Sequence, residues 1–357
     1  MNVMTVIGAR PQFIKAAVVS QALEAKGITE SMIHTGQHYD NNMSKVFFDE
    51  LGIPKPAHHL GIGGGSHGQN TGRMIEAIEN ILMDQKPDLV LVYGDTDSTL
   101  AGSLAAVKLH IPMAHVEAGL RSFNRRMPEE INRVLTDHAA SQLFAPTQTA
   151  VQHLAAEGIT GDRVKYVGDV MYDAVLHYGK QAQASSKVLK LLDLKPKAYT
   201  LATIHRAENT DDSVRLGAIL KGFSGFAQTI VLPLHPRTRA RIESFGLLLP
   251  TNVRPISSLG YLDMMMLEQN ASLIATDSGG VQKEAFFHRV PCVTLREETE
   301  WTELIESGWN RLAPPVSDVD IATTMKVALR SSGQEEIPCF GKGDAADRIA
   351  RTLSHKN

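Results

Sequence analysis

Short apolar runs alternate with amphipathic stretches along the chain, and most runs end in a turn of small or polar residues. Residues 3–7, 31–34, 89–93 and 112–116 read as strands, and all but 31–34 are mostly apolar, as in strands covered on both faces. Between them, 11–25, 69–85 and 98–109 have helical spacing, as does 43–51. Residues 142–145, 151–156 and 164–167 complete a first sheet, and the grammar resumes at 199–204, 229–233, 273–275 and 290–295. The pattern predicts an α/β protein of two doubly wound, Rossmann-like parallel sheets. A chain of 357 residues exceeds what one core usually serves. A hinge at Gly168-Asp169 divides it into domains 1–168 and 169–340, with a closing helix in 341–357 packed back on the first domain.

In such folds ligands bind where strands end, so the turns hold the candidate chemistry. Gly8-Ala9-Arg10-Pro11 opens the first helix with Pro in its first turn, and Arg10 and Lys15 put two cations there. Free N–H groups and cations make an anion site; the alternative is an ordinary solvated pair, which the otherwise apolar helix disfavours. Asp95 follows the third of these runs and Glu117 the fourth, one crossover helix apart, which aims both carboxylates at one crevice. Capping of a helix N-terminus is the alternative role for each, and for Glu129 and Glu130 in Met-Pro-Glu-Glu. In the second half, His205 ends one run, and Ser278-Gly279-Gly280 ends another just before Gln282, Lys283 and Glu284. Small residues at that turn let backbone N–H groups approach a phosphate.

Other signals fail. Residues 63–68 satisfy G-x-G-x-x-G, but the Pro- and His-rich segment 53–59 before them does not read as a strand. His34, His38, His58, His59 and His67 match no metal-ligand spacing. A net charge of -3 gives no reason to expect nucleic acid or an anionic membrane as partner. The isolated Cys292 and Cys339 suggest a reducing cytoplasm. No apolar run is long enough for a signal peptide or a membrane span.

Seven segments, GARPQFIK, HTGQHYD, YGDTDSTLAG, HVEAGLRS, MPEEINR, HRAEN and TDSGGVQKEA, occur in an order and spacing that resemble the non-hydrolysing UDP-N-acetylglucosamine 2-epimerases. The resemblance spans almost the whole chain. It implies a fold of the glycosyltransferase-B (GT-B) type with its active site in the interdomain cleft, a homodimer, and no metal or other cofactor. The implied reaction on a UDP-sugar inverts C2 by elimination and re-addition of UDP, in the service of surface polysaccharide synthesis. By the same resemblance Arg10, Lys15 and Ser278-Gly279-Gly280 hold the diphosphate, Glu284 the ribose hydroxyls, and Met264 packs on uracil. Asp95, Glu117, Glu129 and His205 are then the proton-handling or essential residues. Gln12, Gly68 and Trp301 depart from the commoner pattern and resemble the branch acting on UDP-2,3-diacetamido-2,3-dideoxyglucuronate. A glycosyltransferase of the same architecture is the main alternative. A nicotinamide-dependent epimerase would want a Gly-rich first turn and a Tyr-x-x-x-Lys, and the chain has neither.

Overall fold

The computed structural model describes residues 1–37, 47–48, 50–331, 333–334 and 338–354. His38 and most of the helix expected over 43–51 lie outside them. The chain divides into two compact units, Met1–His177 with Pro338–Asn357, and Tyr178–Ile337. The division falls inside the helix Val170–Ser185 rather than at Gly168-Asp169.

Among the described residues the first unit holds a sheet of β1 (Asn2–Ile7), β2 (Thr29–His34), β3 (His58–His59), β4 (Leu89–Tyr93), β5 (Met113–Val116), β6 (Gln142–Ala145) and β7 (Val164–Tyr166). Its order is β3-β2-β1-β4-β5-β6-β7, parallel throughout. The second unit holds β8 (Thr200–Thr203), β9 (Ile230–Pro233), β10 (Val253–Ile256), β11 (Leu273–Thr276), β12 (Cys292–Thr294) and β13 (Asn310–Leu312). Their order is β10-β9-β8-β11-β12-β13, also parallel. Each sheet therefore reverses its winding once, between β1 and β4 and between β8 and β11. Beyond the carboxyl ends of the strands at such a switch point a crevice opens.

The apolar runs are continuous because both faces of the sheets are covered. In the second unit Ala202, Leu232, Ala275 and Val293 face one core with Leu216, Phe223, Ile321 and Met325. Their neighbours Leu201, Val231, Ile274 and Cys292 face a second core with Leu267 and Ala285. Successive strand residues point to opposite faces, so one run supplies both layers. In the first unit Val6, Val90 and Val92 pack with Met74, Ile78, Ala101 and Ala105 of the helices His67–Gln85 and Asp97–Lys108. The closing helix, Ala345–Ser354, lies on the helix Arg10–Ala25, where Lys26 pairs with Asp347 at 3.3 Å. Among the described residues no helix is long and apolar enough to cross a membrane, and Cys292 and Cys339 form no disulfide.

Several expectations are corrected. Residues 151–156 are not part of the sheet but of the helix Gln148–Ala156, capped by the Thr147 hydroxyl and burying Ala150 and Leu154 one turn apart. The segment judged unable to form a strand supplies β3, which is two residues long and pairs with β2. The edge strands β10 and β13 have no strong apolar run, and β10 carries Pro255 in its interior, which an edge tolerates.

One carboxyl opposes the fold at neutral pH. Asp173 is buried and accepts a hydrogen bond from Ala346 N at 2.8 Å, and desolvation outweighs that bond and lifts its pKa to about 6. An acid whose pKa is raised on folding stabilises the folded state below its unfolded pKa, and that stability is lost as pH rises to the folded value. Asp173→Asn keeps an acceptor for Ala346 and removes the charge. Urea unfolding should show it more stable than wild type at pH 7.5 by up to about 3 kcal/mol, with the gain gone near pH 4.

Candidate active site

At the switch point of the first sheet the turns after β1, β4 and β5 meet the start of the helix Pro128–Ala139. Lys15, on the second turn of the helix Arg10–Ala25, is paired with Glu117, and both side chains are buried. Glu117 occupies the left-handed backbone region at φ 73°, which costs a non-glycine residue on the order of 1–3 kcal/mol. Gly94 is also left-handed at φ 62°, and a Cβ there would lie 3.2 Å from Glu117 Oε2 and 3.5 Å from Lys15 Nζ. Glycine is therefore required where the β4 turn closes over the pair.

Asp95 is next in the chain. Its Oδ2 accepts from Arg133 Nε at 2.9 Å and Nη2 at 2.6 Å, and its carbonyl from Asn132 Nδ2 at 2.9 Å. Arg133 also donates to Glu130 at 2.9 Å. Burial alone would raise the Glu130 carboxyl, but bonds from Ser122 and Arg133 outweigh it and hold that carboxyl below its ordinary range. Glu130 thus ties down the loop before its helix, with Ser122 N at 2.9 Å and Phe123 N at 3.0 Å. Its neighbour Glu129 is half-buried, and its carboxyl takes no hydrogen bond from a described residue. Of two adjacent glutamates at one helix start, Glu130 is the one that holds the loop.

Gln12 connects the first two turns. Its buried amide oxygen accepts from Gly8 N at 2.8 Å and Ala9 N at 2.9 Å, and its nitrogen donates to Tyr93 O at 2.8 Å and to the Thr96 and Thr99 hydroxyls at 3.0 Å. Arg10 begins the helix with its guanidinium over the Phe47 ring at 4.5 Å.

At the switch point of the second sheet the turns after β8 and β11 are joined through Asp277, which is fully buried. Its carboxylate accepts from His205 N at 3.1 Å, Arg206 N at 3.0 Å and Asn209 Nδ2 at 3.1 Å, and lies 3.3 Å from His205 Nδ1. The imidazole is about half exposed and held from behind. Ser278 caps the helix Gly279–Phe287, leaving the first N–H groups of that helix beside Gly279 and Gly280, where anions bind. A Cβ on Gly279 would meet Glu300 Oε1 at 2.4 Å, so the backbone approaches this neighbour only because the residue is glycine. Glu284 is buried on the second turn of this helix, and the half-buried Met264 packs in the same apolar cluster as Val281.

The first unit thus pairs Lys15 with Glu117 and carries Arg10, Asp95 and Glu129 on neighbouring turns and helix starts, and the second carries His205, Met264, Ser278, Gly279, Gly280 and Glu284 on its own turns and helices. Sequence reasoning overlooked Gln12, Asn132, Arg133 and Asp277 as the residues that hold them. The signal lay inside the quoted motifs: polar residues one helical turn apart, or at a strand end, that would otherwise be buried without a partner. Among the described residues no cluster of His, Cys, Asp and Glu could hold a metal ion.

A family model described as UDP-N-acetylglucosamine 2-epimerase matches residues 21–354. The UDP-2,3-diacetamido-2,3-dideoxy-D-glucuronate 2-epimerase of Pseudomonas aeruginosa is 50% identical over 360 residues, covering 99% of each chain. The crystal structure of the Methanocaldococcus jannaschii UDP-GlcNAc 2-epimerase, in complex with UDP-GlcNAc and UDP, superposes with a TM-score of 0.95 at 44% identity, covering 99% of this chain and 100% of that one. A calicheamicin glycosyltransferase shares the two-domain GT-B fold with a TM-score of 0.53 at 15% identity, covering 99% and 94%, a likeness of fold alone. Matched by that model over most of its length and half-identical from end to end to one of its enzymes, the chain belongs to the UDP-N-acetylglucosamine 2-epimerase family.

Proposed function

We propose that this protein is a non-hydrolysing 2-epimerase of a UDP-2-acetamido sugar, either UDP-N-acetylglucosamine or the 2,3-diacetamido-glucuronate relative on which the Pseudomonas aeruginosa enzyme is named to act. The observation that carries the reading is the convergence of Lys15, Glu117 and Asp95 at one sheet's switch point in a chain of this family.

The C2 proton of a pyranose has no adjacent carbonyl to acidify it. Its removal must therefore be coupled to departure of UDP, with the C2–H electrons forming the C1–C2 double bond as the C1–O bond breaks. Return of a proton to the other face of C2 and attack of UDP at C1 complete the inversion. A placed acid or base contributes about 10²–10⁴-fold, and each fixed donor to a developing oxyanion about 3–4 kcal/mol. We assign proton handling to Asp95, Glu117, Glu129 and His205. Arg10, Lys15 and the Ser278-Gly279-Gly280 turn are assigned to the diphosphate, Glu284 to the ribose and Met264 to the uracil. Lysine carries three N–H donors, so pairing with Glu117 leaves two for a phosphate oxygen. We extend the proposal to a homodimer acting in the cytoplasm on precursors of surface polysaccharide; light scattering should then give twice the chain mass, and a mass of one chain would refute the dimer.

Incubation with each UDP-sugar in deuterated water, followed by NMR, should show deuterium entering C2 as the epimer forms. A glycosyltransferase would leave C2 protiated, and that result would sink the proposal. Glu117→Gln and Asp95→Asn should bind UDP with affinity within about threefold of wild type and lose about 10²-fold or more in kcat. Wild-type turnover in either would remove that residue from the mechanism.

A further inference from the structure

A fully buried histidine on β5 lies behind these carboxylates, and no role has yet been given to it. His115 Nδ1 is 2.7 Å from Asp137 Oδ1 and its Nε2 is 2.7 Å from the carbonyl oxygen of Gly94, with both His115 and Asp137 without solvent exposure. Asp137 Oδ2 in turn accepts from Gly119 N at 3.0 Å and Arg121 Nη1 at 2.7 Å. Burial would raise the Asp137 carboxyl, but the bonds from His115 and Arg121 outweigh it and keep it below its usual range.

A carbonyl oxygen and a carboxylate only accept. A neutral imidazole carries one N–H, so it would leave one 2.7 Å contact between two lone pairs in a dry interior. Hydrogen on both nitrogens would give each acceptor a donor. Gly94 immediately precedes Asp95, His115 lies two residues before the strained Glu117, and Asp137 lies one helical turn beyond Arg133, which grips Asp95. A single side chain thus connects the three elements that carry the reacting carboxylates.

We propose that His115, bridging Asp137 to the Gly94 carbonyl through two N–H donors, is a positioning residue that locks the Gly94-Asp95 turn in register with Glu117. The proposal rests on the epimerase reading above, deepening it with a residue that touches no substrate. His115→Gln cannot donate from both ends of its side chain, and a displacement of the carboxylates by about 1 Å costs about 10²-fold in rate.

The test combines kinetics of His115→Gln with ¹⁵N NMR of histidine-labelled wild-type protein. In wild type the His115 ring, assigned by contacts to the β5 amides, should show a hydrogen on both nitrogens. In His115→Gln, kcat should fall about 10- to 100-fold while KM and UDP affinity stay within about threefold. A neutral ring in wild type overturns the proposal, and this measurement decides it even if the variant does not fold. Full kcat in the variant, or a parallel loss of UDP affinity, overturns it as well. A wild type that brings no solvent deuterium into any UDP-sugar would instead sink the epimerase reading, and the positioning role with it.

Discussion

A lysine and a glutamate buried against each other anchor the first unit, and their attraction works against two costs. Two charges leave water, and one sits on left-handed backbone. Removing either partner of such a pair typically costs about 3–5 kcal/mol, because the other is left charged in the interior. The pair persists because its surroundings are overdetermined. Gly94 closes over it, Gln12 binds the β1 turn to the β4 turn, and Asp137 with His115 binds the β4 turn to that after β5. A lysine held in this way has its direction set before any ligand arrives.

The second unit solves the same problem with the same device. Asp277, like Asp137, is an aspartate without solvent exposure whose oxygens collect donors from a neighbouring turn. In both units the parallel sheet brings strand ends side by side but leaves their turns free to take many shapes. A buried carboxylate that needs several donors removes that freedom, since any turn that fails to supply them leaves it unpaired. The candidate side chains on these turns are thus held by buried charged groups behind them.

How much of this could be read beforehand follows from what each feature depends on. Strands β1, β4, β5, β8 and β11 were legible because burial on both faces demands an unbroken apolar run. The edge strands β10 and β13 and the two-residue β3 were not, since an edge makes weaker demands on its residues. Residues 151–156 misled because a short apolar run does not declare its period until its cap and buried face are known. The place of Asp95 and Glu117 at strand ends, and of Arg10 and Lys15 on the first turns of the helix after β1, was legible. The partition between Glu129 and Glu130 was not, because two acids in one helical turn look alike until a loop donates to one of them.

By itself the sequence determined the α/β class, the alternation of layers, the turns on which the candidate side chains sit, and the family to which the chain belongs. These depend on local periodicity and on short motifs, which a chain carries in linear order. Tertiary structure alone decided that Lys15 lies against Glu117, that Arg133 reaches Asp95, and that His115 stands between Asp137 and Gly94. Each of these contacts joins residues from different strands or helices, and no periodicity encodes the distance between two turns until the sheet has brought them together.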